Sequence, residues 1–231
     1  MSHVTSHMPP GQDTGIHAPV LVLPGLFDPE LCTTLIGEYQ RHGGEVSGFM
    51  VVENGRTAPR HDPRHKVRRD HLLTDEALTA AIRQRIVSLV VPAIRRAYAF
   101  NVTRMERYLV ACYDAEEGGH FRAHRDNTTP GTAHRRFALS VNLNSDFEGG
   151  GLTFPEFSDR RFRAGAGTGI VFCCSMLHQA EPVTAGRRFV FLPFLYDEAA
   201  AALRQHNLKQ EAAQVSSPDQ PSGQTGDQPT G

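Results

Sequence analysis

The stretch GGHFRAHRDNTTPG, residues 118–131, sets His120, His124 and Asp126 a few positions apart, between a glycine pair and a Pro-Gly turn. Imidazole nitrogen and carboxylate oxygen are ordinary ligands of first-row metals, so the question is whether these side chains converge. On an extended chain, residues two apart point to the same side, which directs His124 and Asp126 together and Arg125 away. His120, four residues before His124, could join a zinc site on a helix, but Gly118 and Gly119 argue against a helix there. His120 is therefore read as a pocket-wall or surface residue.

A third ligand has to come from elsewhere, and CCSMLHQAEPVTAGRR offers His178 at the end of an apolar, strand-like run. Two histidines and one carboxylate on one face of an octahedron leave three open positions, which suits ferrous iron binding a co-substrate and dioxygen together. Such a centre needs a permanent cation to hold a dicarboxylate co-substrate, and arginine, planar and always charged, fits that task. The ordered set runs Tyr113, His124, Asp126, EGGGLTF, His178, Gly186, Arg188.

The elements that must position these residues fall into two halves. DPELCTTLIGEYQRH reads as a helix with Asp28 as N-cap, Pro29 in the first position and Gly43 as the stop. TDEALTAAIRQRIVSLVVPAIRRAYAF reads as another, capped by Thr74, with Leu78, Ile82, Ile86, Leu89 and Val90 on one stripe and Pro92 kinking or splitting it. From about residue 105 the period changes to two, in RYLVACY, FALSVNLN, GIVFCC and RRFVFLPFLY, separated by turn residues. Short strands with glycine-rich turns predict a sandwich or jelly roll with helices packed outside one sheet.

From about Arg107 to Asp197 the chain resembles the iron(II)- and 2-oxoglutarate-dependent dioxygenases, in their prolyl 4-hydroxylase-like branch, through YLVACYDAEEGGHFRAHRDN, LNSDFEGGGLTFPE and HQAEPVTAGRRFVF. The resemblance implies a mainly β, double-stranded β-helix (jelly-roll) fold with flanking N-terminal helices. It implies iron ligation by His124, Asp126 and His178, which are then also the catalytic set. It places Arg188 on the far carboxylate of 2-oxoglutarate, with Arg187 as the fallback because a one-residue slip exchanges the strand faces. Tyr113 and Asn142 are placed with the co-substrate; Asn142–Leu143–Asn144 stands where relatives often carry an aromatic residue first. The implied reaction is hydroxylation of an unactivated C–H bond with release of succinate and carbon dioxide, using Fe(II), 2-oxoglutarate and O2, with ascorbate as a candidate accessory. The implied substrate is a peptidyl residue such as proline, or a small molecule. The carboxylate of Asp126 favours hydroxylation, since halogenating relatives lack it.

Other readings are weaker. A catalytically silent jelly-roll binding or sensing module would keep the pocket without turnover; zinc-assisted hydrolysis finds no general base beyond the ligands. Nucleic-acid demethylating relatives carry a second arginine six residues on, where this chain has Phe194. With 24 Lys plus Arg against 25 Asp plus Glu and a net charge of -1, composition gives no reason to expect a nucleic acid or membrane partner. The basic run RTAPRHDPRHKVRRDH, residues 56–71, reads as a mobile loop bordering the site. His134 reads as a solvated turn residue, Arg187 as a surface charge, and Cys32, Cys112, Cys173 and Cys174, without CxxC spacing, as reduced core residues.

The 231 residues are read as one oxygenase domain over 18–203, with helical support at 28–100 and a jelly-roll core at 105–197. The segments 1–17 and 206–231, polar and rich in Pro, Gly, Ser and Gln, read as disordered tails. With neither a secretion signal nor a run of about 18 to 20 consecutive apolar residues, the expected location is cytoplasmic.

Overall fold

The computed structural model describes residues 17–216. In chain order the strands are β1 (Leu21–Leu23), β2 (Glu45–Val46), β3 (Phe49–Glu53), β4 (Arg56–Arg60), β5 (Lys66–Val67), β6 (Arg69–Leu72), β7 (Arg104–Glu106), β8 (Leu109–Asp114), β9 (His120–His124), β10 (Phe137–Asn142), β11 (Phe147–Gly149), β12 (Leu152–Phe154), β13 (Ser158–Phe162), β14 (Gly169–Cys173), β15 (His178–Ala180), β16 (Val183–Phe191) and β17 (Phe194–Tyr196). The helices are α1 (Pro29–His42), α2 (Glu76–Arg85), α3 (Val91–Tyr98) and α4 (Glu198–Ser216).

Two antiparallel sheets form the jelly roll. The major sheet runs β1-β14-β10-β16-β8-β6-β2, with β17 joining β10 to β7 and β11 paired to β16; the minor one runs β13-β12-β15-β9-β5. Alternation sorts each central strand between two sides. Val110 and Cys112 of β8, Leu139 and Val141 of β10, and Phe189 and Phe191 of β16 pack with Leu35, Ile82, Ile86, Val90 and Ile94 of the helical layer. Their neighbours Ala111, Tyr113 and Val190 belong to a separate cluster with Phe121 and Ala180 of the minor sheet. The helices thus cover one face of the major sheet, and the site lies on the other.

Local chemistry explains the helix ends. The Asp28 carboxylate accepts the Leu31 N–H at 2.8 Å, and Gly43, at φ 72°, closes α1. The cap of α2 is Asp75, one residue after the expected Thr74; its carboxylate accepts the Leu78 N–H at 2.8 Å. Between α2 and α3 the chain makes a π-helical turn over Ile86–Val90, ahead of Pro92. A wider turn counters the drift of a four-residue repeat, keeping Ile82, Ile86, Val90 and Ile94 buried on one side and leaving Leu89 exposed, contrary to the predicted stripe. The continuous run Glu76–Tyr98 is, by length and composition, long and apolar enough to cross a membrane, although Arg83, Arg85, Arg95 and Arg96 interrupt its apolar residues. Its apolar stripe is already spent on the core.

Three expectations about the periphery fail. The run 56–71 is not a mobile loop: it holds β4, β5 and the start of β6, so the segment 28–100 is helical only in part. β5 and β6 are polar because β6 lies near the sheet edge, and their partners β9 and β8 are about 40 to 55 residues on in sequence, beyond the reach of local patterning. The stretch from residue 206 continues α4 to Ser216, where Asn207 Nδ2 donates to the Pro130 carbonyl at 2.7 Å and Glu211 Oε1 accepts the Thr57 N–H at 2.9 Å. Residues 1–16 and 217–231 of the expected tails lie outside the described residues.

The EGGGL glycines serve backbone geometry. Gly149 has φ 72° at a β-bulge, and a Cβ there would sit 2.3 Å from the Pro182 carbonyl oxygen. Gly149→Ala is expected to cost about 1–3 kcal/mol from backbone conformation alone, and more from the clash. A thermal melt within a degree or so of the parent would contradict this.

Candidate metal centre and co-substrate pocket

His124 ends β9 and faces His178 of β15 as its direct cross-strand partner. Asp126 follows β9 in a turn fixed by its own N–H, which donates to the Cys174 carbonyl at 2.9 Å. Its two carboxylate oxygens point at the two rings: Oδ1 lies 3.4 Å from His124 Nε2 and Oδ2 3.4 Å from His178 Nε2. One ligand atom from each of the three residues lies within 4.8 Å of the others. The register of two strands therefore makes the convergence that the sequence spacing suggested.

The donor chemistry suits a metal ion. His124 Nδ1 is 2.8 Å from the Arg122 carbonyl and His178 Nδ1 is 3.0 Å from the Met176 carbonyl. Each carbonyl accepts a hydrogen bond from Nδ1–H, so Nε2 keeps its lone pair towards the common point. Burial pushes His178 down to about 4, against the opposing pull of Asp126, which leaves the ring neutral near neutral pH. For Asp126, burial raises the carboxyl, while His178 and His124, in so far as they carry a proton, pull it below the usual carboxylate range. Phe121 stacks on His124 with ring centres 3.5 Å apart, and Phe172 packs at 4.5 Å from His178, fixing both rings. His120 is not in the cluster; its Nδ1 contacts the Gly118 carbonyl at 2.8 Å.

Behind this triad a small chamber of about 60 Å³ is lined by Tyr113, Ser140, Arg188 and Arg68, among others. Arg188 is only 4% exposed; it pairs across the ladder with Tyr113 and its guanidinium lies 5.3 Å from that ring's centre. Arg187, one residue earlier and on the other face, is exposed and bonded to Asp114 at 2.7 Å. Strand phase thus separates the two arginines. Asn142, expected to touch the co-substrate, does not line the chamber. Its Oδ1 accepts from Arg188 Nε at 3.0 Å and its Nδ2 donates to the Ala164 carbonyl at 2.6 Å, so it holds Arg188 from behind.

Sequence reasoning missed Arg68 and Arg107. Arg68, where the chain crosses from β5 to β6, gives the Asp70 carboxylate two hydrogen bonds of 2.6 Å and reaches Tyr113 Oη at 3.4 Å. The basic run was visible as composition, but only the β6–β8 pairing shows which of its arginines turns inward. His134 was misread as solvated: it is 1% exposed, with Nε2 3.0 Å from Glu106. That partner lies 28 residues earlier, out of reach of a turn reading.

These buried pairs give the fold an acid limit. Burial alone would raise Asp70, but the charge and hydrogen bonds of Arg68 outweigh it and hold the carboxyl at about 2 against an ordinary 3.8. Burial of Glu106 is likewise overcome, by His134 and Arg135, giving about 2 against 4.5. Both native values are depressed, so their stabilisation is present above the unfolded values and is lost as pH falls from about 4.5 towards 2. Denaturant unfolding at about pH 7 and about pH 3 should show a drop on the order of a few kcal/mol; equal stabilities would contradict the pairing.

Residues 108–196 match the family model described as the 2OG-Fe(II) oxygenase superfamily. The match takes in the strands from β8 to β17. The matched segment contains Tyr113, His124, Asp126, His178 and Arg188. Among curated proteins no relative matches. Among solved structures, the chain is similar to a Trichoplax adhaerens prolyl hydroxylase in complex with a hypoxia inducible factor oxygen degradation domain peptide fragment, at 17% identity and TM-score 0.64, covering 80% of this chain and 86% of that one. It is also similar to a viral collagen prolyl hydroxylase from Paramecium Bursaria Chlorella virus-1 in its 2OG complex, at 16% identity and TM-score 0.57, covering 80% and 98%. A Pseudomonas putida prolyl-4-hydroxylase follows at 17% and 0.57, covering 78% and 94%. At such identities the likeness establishes the jelly-roll fold of the chain.

Proposed function

We propose that the protein hydroxylates a prolyl residue within a peptide, with His124, Asp126 and His178 holding iron(II) and Arg188 binding the far carboxylate of 2-oxoglutarate. The observation that carries the assignment is the placement of a buried, always-charged guanidinium at the back of the same chamber onto which the three ligand atoms converge. Iron(II) with 2-oxoglutarate and dioxygen supplies oxidation of an unactivated C–H bond, the co-substrate leaving as succinate and carbon dioxide. The chain supplies the rest. The two rings, locked by Phe121 and Phe172, set the metal's face; Asn142 and Ser140 aim Arg188; Tyr113 walls the chamber beside it.

The peptide reading draws on the likeness to prolyl hydroxylases, one of them holding a peptide. Its test is succinate release from purified protein over proline peptides and small acids, with mass spectrometry for one added oxygen. Product on the small acids alone would displace the peptidyl reading; product on neither would count against both. All four cysteines are free thiols, which supports a reducing compartment such as the cytoplasm, checked by cell fractionation.

A further inference from the structure

A second chamber of about 410 Å³ lies outside the metal triad, and His124 and Asp126 form part of its wall. Its charge is one-sided. Lys66, Arg68, Arg107, Arg125 and Arg135 line it, and the one acid among the lining residues is Asp126, whose oxygens are turned to the two histidines.

Arg125 is paired to Glu156 at 2.5 Å, but internal pairing does not cancel the rest of the excess. Arg68 and Arg107 share the single carboxylate of Asp70, Arg107 at 3.2 Å. Arg135 and Arg204 share Glu106, at 2.8 and 3.4 Å. Lys66, 6% exposed, donates to Ser47 Oγ at 2.8 Å and to the Gly48 carbonyl at 2.6 Å, neither of them anionic. A protonated amine buried on neutral acceptors is unfavourable, and burial pushes Lys66 down to about 6, so this group takes up its full charge only when an anion joins it, and the standing excess is carried by the arginines. Arg107 adds an independent sign. It is a non-glycine residue at φ 64°, a conformation that costs energy and persists where the surroundings require it, here with its guanidinium at the chamber wall. Iron(II), Asp126, dianionic 2-oxoglutarate and Arg188 together come close to neutrality, so the resident groups leave the outer excess unused.

We propose that the outer chamber receives an acidic side chain of the substrate peptide, its carboxylate settling among Arg107, Arg68 and Lys66 beside the residue to be oxidised. This rests on the peptidyl reading above and narrows it to proline with a neighbouring Glu or Asp.

Three fluorescein-labelled, end-blocked peptides of one length, with proline flanked by Glu, Gln or Lys, test it by anisotropy against protein loaded with iron(II) and 2-oxoglutarate under nitrogen. The Glu peptide is expected to bind about tenfold tighter than the Gln peptide, with the Lys peptide weakest, and the gap to close in high salt. Arg107→Gly suits the left-handed backbone and should remove most of the gap, while Arg107→Lys keeps part of it. Should Arg107→Gly fail to fold, the salt dependence of the unaltered protein decides alone. Equal binding of all three peptides, or a gap indifferent to salt, overturns the inference and leaves prolyl hydroxylation standing. Failure of every peptide to bind overturns both. Because affinity is read without turnover, an inactive preparation does not mask the outcome.

Discussion

Replacing Asp126 by alanine is expected to lower turnover by about a thousandfold or more, several kcal/mol of barrier, while the protein stays folded. Its carboxylate is the element that bridges the two imidazoles, at 3.4 Å from each Nε2, and without it two neutral ligands remain for a divalent ion. The fold should survive because the backbone bond from residue 126 to the Cys174 carbonyl, which fixes the turn, does not involve the side chain. Succinate release and a circular-dichroism melt on the same preparation check the two halves. Activity above about a tenth of the parent's in a folded variant would refute the ligand assignment.

The second large effect concerns Arg188. Arg188→Gln should raise the KM for 2-oxoglutarate by at least about thirtyfold, the lower end of what truncating one partner of a buried, hydrogen-bonded charge pair costs. Arg188→Lys should not rescue fully, since a point charge cannot match the planar fork that Asn142 and Ser140 orient. Arg187→Gln is the control: its side chain is exposed and paired to Asp114, on the opposite face, and its KM should stay within about twofold. Equal effects at 187 and 188 would mean that the co-substrate is anchored elsewhere.

Both predictions use residues that could be found without coordinates, and the reason is local. A two-residue spacing decides which way His124 and Asp126 face, and the parity of β16 decides between Arg187 and Arg188 once Phe189 and Phe191 are seen to be core. The cap at Asp28 and the strand pattern of β8, β10 and β14 are likewise written in adjacent residues. What was misread depends on partners far away in sequence. Arg68 becomes an inward residue only through the pairing of β6 with β8, and His134 is buried only because Glu106 meets it. Asn142 was placed one layer too far forward: its position in the motif was legible, but that its amide turns to Arg188 and Ala164 rather than to the cavity is a matter of side-chain direction.

The helix α4 fastens two pieces of the entrance at once. Asn207 grips the Pro130 carbonyl in the loop after Asp126, Glu211 takes the Thr57 N–H of the hairpin strand β4, and Gly131 N–H closes the triangle on Thr57 Oγ1 at 2.6 Å. An affinity label, a fluorescent fusion or a surface attachment placed on that helix would pull on the doorway of the catalytic cavity.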